Sequence, residues 1–139
     1  MDNSVNWFTK KIAFGLLFLS LIGWGVGVFL LKFYDCGNSI FCYNLTTRSF
    51  ALYYGMPALA LIFFILIFTQ QAFSAWKKFA IWFIPLATLL FIFYPDPGSG
   101  DYFSPYPEQI FRWVSITYVV ISIFIIALKT VRQRSEKVA

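Results

Sequence analysis

FALYYGMPALALIFFILIF, residues Phe50 to Phe68, is the stretch that decides the fold. It opens a segment, Ser49 to Trp76, that holds no charged side chain. At a rise of about 1.5 Å per residue, nineteen helical residues extend about 29 Å, close to the hydrocarbon thickness of a bilayer. Eleven of the nineteen are Leu, Ile or Phe. Each contributes roughly −0.3 to −0.6 kcal/mol to insertion near the middle of a span. The sum, on the order of −3 to −6 kcal/mol, lets the segment insert unaided. It reads as a transmembrane helix.

Working outward, three more runs obey the same logic. Residues Ile12 to Leu31 form an apolar run behind Lys10-Lys11 and closed by Lys32. A basic head before an apolar run also describes a signal peptide, and Gly25-Val26-Gly27 offers a small-x-small cleavage site. The run continues to full spanning length, so an uncleaved span is expected. A span from about Trp76 to Tyr94 follows the short turn Gln70–Ser74, with Pro85 expected to kink it. The last span starts at Pro107-Glu108, with proline in the first turn and an acid near the positive helix end. It reaches about Leu128, before a basic tail over 129–139 that is expected to fray. The expected fold is therefore an all-α membrane protein, an antiparallel four-helix transmembrane bundle. Its spans lie at about 12–31, 50–70, 76–94 and 107–128 of a single domain covering 1–139.

Composition agrees. The chain has 139 residues, 60% hydrophobic and 12% charged, about half the charged share of a soluble domain. Four spans leave too little chain for a separate soluble core. The net charge of +5 sits at span ends, where orientation and lipid headgroups account for it, so no nucleic-acid partner is expected. Lys10, Lys11, Lys77, Lys78, Lys129, Arg132, Arg134 and Lys137 fall on the side of the termini. Only Lys32, Arg48 and Arg112 fall on the other. That bias places both termini in the cytoplasm, with a plasma or inner membrane as the expected location.

Chemistry is constrained mostly by what is missing. There is no histidine, which excludes bis-histidine haem, histidine metal sites and a Ser-His-Asp triad. No cofactor or metal is expected. No ionisable residue lies near the middle of a span, so proton relays and ion paths lack their usual marks. Arg112 comes nearest, four residues after Glu108, an order that favours a helical ion pair.

Cys36 and Cys42 are the only candidates for covalent chemistry, and a structural disulfide closing a seven-residue loop is expected. Such a bond is worth about 2.4 kcal/mol in the chain-entropy model. The alternative is a thiol-disulfide oxidoreductase using the same pair. Quinone-linked membrane oxidases resemble the chain only in span count, since they use a Cys-x-x-Cys pair and a second pair that are lacking here. The Asn44-Leu45-Thr46 triplet sits too close to span 2 to count as a glycosylation site.

Two patterns remain for recognition. Gly23 and Gly27 make a GxxxG face extended by Ser20, with Ala51, Gly55 and Ala58 at matching depth on span 2. Small residues let backbones approach in lipid, where hydrophobic drive between helices is weak. Packing within the monomer is expected, ahead of a homodimer or contact with another membrane protein. The second pattern is tyrosine. Tyr34, Tyr43, Tyr53, Tyr54, Tyr94, Tyr102 and Tyr106 lie in or beside the outer loops, and only Tyr118 lies deeper. Trp7 and Trp76 read as an inner aromatic belt.

The loop 95–107 carries Pro95, Pro97, Pro105 and Pro107, which lower the ordering cost of binding. Tyr102, Tyr106, Asp96 and Asp101 are therefore the candidate docking residues, for another protein or a headgroup, against a lid that only seals the bundle. The expected function is a non-enzymatic accessory or assembly subunit. The alternatives are the oxidoreductase and a holin-like or immunity-like protein, the latter on general build alone.

Overall fold

The computed structural model describes residues 2–33, 40–94 and 105–138. These form four long helices, α1 (Asp2–Lys32), α2 (Ile40–Phe68), α3 (Phe73–Phe93) and α4 (Pro107–Val138), with one 3-10 turn at Gln70–Ala72. No strand occurs among the described residues. All four helices are long and apolar enough to cross a membrane.

The helices outrun the apolar segments that announce them. α1 starts at Asp2 rather than near Ile12, so the polar head is helical. α2 starts at Ile40, ten residues before Phe50, and absorbs a stretch expected as loop. Thr and Ser ahead of an apolar run commonly cap a helix start, yet Ser49 Oγ donates to the Leu45 carbonyl at 2.7 Å, inside the helix. A hydroxyl satisfied by the preceding turn does not end a helix. α4 runs through the basic tail, where Arg132 Nε and Glu136 Oε1 lie 3.4 Å apart as an i,i+4 pair. The expected fraying does not occur up to Val138. Pro57 and Pro85 both lie inside continuous helices.

Helices α2, α3 and α4 share one core, and α1 lies outside it against α2. α1 lies along α2, α2 also packs on α4, and α4 packs on α3. α2 and α3, joined by a tight turn, keep their backbones apart and meet through side chains, Phe63 on Trp76 and Phe91 beside Gly55. α2 is thus the hub. Its Ile62 and Leu66 are fully buried, and Phe63 nearly so. Around them gather Ala72, Trp76 and Ala80, with Tyr118 and Ile126 from α4.

Trp76 was expected at the interface but is 4% exposed. Its ring packs edge-on against Phe63 at 5.4 Å and beside Phe73 at 5.8 Å, because the 3-10 turn folds the start of α3 back over α2. Most remaining large apolar side chains, such as Phe14, Phe18, Trp82, Leu86 and Phe93, point away from the core. Facing hydrocarbon, such side chains lose nothing by exposure.

Candidate functional site

The α1–α2 and α3–α4 seams are built by different means. On α1, Ser20 is buried and its Oγ donates to the Leu16 carbonyl at 2.8 Å. One turn on, a Cβ built on Gly23 would lie 2.9 Å from Met56 Sδ and Cε. At Gly27 it would lie 3.0 Å from both Leu52 Cβ and the Tyr53 backbone nitrogen. Both glycines therefore face α2, and Gly27 meets backbone. Gly55 does not share this seam, since its nearest neighbour is the Phe91 ring of α3 at 3.8 Å. Ala58 is buried in the core and Ala51 is half-buried.

Between α3 and α4 the contact is aromatic. Phe79 and Phe83 lie 6.1 and 5.4 Å from the Tyr118 ring, and Phe91 lies 4.6 Å from Phe111. Rings hold these helices apart and leave voids. An apolar slot of about 80 Å³ runs between Gly55, Phe83 and Tyr118. A shallower apolar groove of about 480 Å³ lies between Leu86 and Trp113. Inside the seam, Tyr118 is buried beside Trp76 and Ser122, and the Tyr118 hydroxyl, Trp76 Nε1 and Ser122 Oγ make no hydrogen bond of good geometry. Sequence reasoning missed this polar trio. Only the isolation of Tyr118 from the other tyrosines pointed to it.

At the end away from the termini, the polar contacts converge on α4. Tyr54 Oη donates to Glu108 Oε1 at 2.7 Å, with Tyr53 packed edge-on against Tyr54 at 5.1 Å. The expected Glu108–Arg112 ion pair does not form, and the contact that Glu108 makes is to Tyr54. Tyr94 Oη donates to the Pro105 carbonyl at 3.0 Å, tying together the two ends of the loop that joins α3 to α4. Tyr106 stands 69% exposed beside this tie. The other candidate docking residues, Asp96, Asp101 and Tyr102, lie outside the described residues. So does Cys36; Cys42 sits in the first turn of α2, and its side chain is likewise outside them.

At the opposite end, Lys11 Nζ stands 3.5 Å over the Trp7 ring centre, and a polar pocket of about 470 Å³ opens between the α2–α3 turn and the last turns of α4. Among the described residues, no group of three Cys, Asp or Glu side chains is placed to hold a metal ion.

The chain matches no protein-family model, and no curated protein or solved structure shows significant similarity to it.

Proposed function

We propose that this protein is a small, non-enzymatic, multi-pass membrane protein serving another membrane protein as an accessory or assembly subunit. Contact is made through its spans and through the tyrosine-rich loop 95–107. The observation that carries the reading is the closed base of that loop. Tyr94 bonds across to Pro105, and Glu108 is held by Tyr54 of α2, so both ends of the segment are fixed to the bundle. A loop anchored this way, and rich in proline, loses little conformational entropy when a partner docks. Tyr106 is already turned outward at its edge. With Gly23 and Gly27 taken up by α2, a partner or second copy must use other faces of the spans.

Cys36 and Cys42 enter as a structural disulfide at the same end. Replacing both with serine should lower stability by about 2 kcal/mol and leave partner binding intact. Loss of all function with the fold retained would favour the redox alternative instead.

The test of docking is Tyr102→Ser with Tyr106→Ser, read by partner co-purification in mild detergent and by melting temperature. A docking loop loses the partner at unchanged melting temperature. A lid loses stability and keeps the partner, and that result would overturn the proposal, as would no change in either quantity.

A further inference from the structure

The pocket at the termini-bearing end has a donor and acceptor inventory that specifies its occupant. Thr69, Gln70 and Gln71 line it from the turn, and Thr130, Gln133 and Arg134 from α4. Thr69 Oγ1 donates to the Ile65 carbonyl at 2.9 Å and Thr130 Oγ1 to the Ile126 carbonyl at 2.8 Å, so each hydroxyl has spent its proton and keeps its lone pairs. Gln70 Nε2 donates to the Ile67 carbonyl at 3.3 Å, leaving its oxygen. Gln133 Oε1 is buried and has no partner. Arg134 is exposed and makes no ion pair among the described residues, whereas the neighbouring Arg132 is paired with Glu136. The pocket therefore offers one unpaired guanidinium and several amide N–H donors beside a set of acceptors, of which the buried Gln133 Oε1 lacks a donor.

An inorganic phosphate would suit Arg134 and can turn a P–O–H to an acceptor, but it has nothing for the exposed Phe68 at the rim. A lipid headgroup joining a phosphodiester to hydroxyls meets the guanidinium and the acceptors and brings an apolar part with it. An ammonium headgroup would supply donors at the cost of bringing a positive charge toward Arg134. The apolar side of the pocket completes the match. Phe68 is 75% exposed at its rim, and Phe64, one turn deeper and 57% exposed, packs against it at 5.2 Å between ring centres. Together they make an aromatic track along α2 away from the helix end, the direction that acyl chains take from a headgroup.

We infer that this pocket binds an anionic phospholipid with a hydroxyl-bearing headgroup, such as phosphatidylglycerol. Arg134 takes the phosphodiester, Gln133 Oε1 accepts from a headgroup hydroxyl, and Phe64 and Phe68 lie against the chains. The inference stands apart from the docking loop, which lies at the other end of the helices.

The test uses the full chain in mild detergent, titrated with short-chain phosphatidylglycerol, phosphatidylcholine or glycerol phosphate, with melting temperature as readout. Phosphatidylglycerol is expected to raise it saturably, and the other two are not. Arg134→Gln should weaken the response about fivefold, the usual effect of one basic residue at an anionic surface. Gln133→Ala should weaken it further. Arg132→Gln removes the same charge outside the pocket and should leave the response unchanged. An equal response to phosphatidylcholine, or none to any lipid, overturns the inference. An equal response to glycerol phosphate overturns it in favour of a free phosphate ester. Equal losses in the Arg132 and Arg134 variants reduce it to general surface charge.

Discussion

The α1–α2 seam and the α3–α4 seam solve one problem in opposite ways. Lipid chains are as apolar as leucine, so neither seam is driven by burial from water, and each must gain through contact. α1 gains it by bringing backbone onto backbone at Gly27, where even a methyl group would sit 3.0 Å from Leu52 and Tyr53. α3 gains it with rings, Phe79, Phe83 and Phe91 stacked on Tyr118 and Phe111. Close approach at Gly27 tolerates no added atom. Ring packing leaves the slot beside Gly55 and tolerates more change.

Removing the ring that pins the start of α3 onto α2, at the foot of the second seam, should have the largest effect. Trp76→Ala deletes the side chain that joins Phe63 and Phe73 at the start of α3. In lipid the transfer part of the usual Trp→Ala cost largely disappears, leaving a cavity part of about 3 kcal/mol. Denaturation of the purified protein in a rising fraction of ionic detergent measures it. A loss below about 1 kcal/mol would mean that α3 is not held by Trp76.

Adding atoms to the first seam should come next, and unequally. Gly27→Ala presses on backbone that cannot move and should cost about 1–3 kcal/mol. Gly23→Ala presses on the flexible Met56 side chain and should cost about 1 kcal/mol or less. The same assay applied to both gives the order. If Gly23→Ala proves the more damaging, close backbone approach at Gly27 is not what holds α1.

The smallest effect belongs to Tyr118→Phe. It deletes one of three buried polar groups that lack well-formed hydrogen bonds, and the ring stacking on Phe83 stays. Stability should change by about 1 kcal/mol at most, in either direction. A large loss would show that the trio of Trp76, Tyr118 and Ser122 forms a hydrogen-bonded network on which the aromatic seam depends.

These differences also explain what could be read from the sequence. The apolar runs were legible because hydrocarbon thickness sets a length that composition alone can meet. Small residues at fixed spacing gave Gly23 and Gly27 a face, because backbone approach depends on what is absent from Cβ. Helix ends were not legible, since polar residues such as Ser49 satisfy themselves within the helix and need not stop it. The burial of Trp76 was hidden for another reason. Tryptophan at a span end suits an interface as well as a core, and only the 3-10 turn, which tips α3 over Phe63, decides between them. The wide spacing of the α2 and α3 backbones was equally hidden, because a short loop between spans 2 and 3 implies neighbours without implying how closely they pack. The pocket at the termini-bearing end joins Gln70 to Gln133, residues 63 positions apart, and no local pattern announces it.

Both seams presuppose that the helices cross one bilayer in alternation, with α2 and α4 entering from the same side. The Tyr54–Glu108 bond, which ties the middle of α2 to the first turn of α4, is compatible with this order. Topology reporters fused after Val5, Ser39, Ser74, Ser99 and Ser135 test it most directly. The account predicts in, out, in, out, in, with both termini cytoplasmic. Ser39 and Ser99 reporting from opposite sides of the membrane would contradict it.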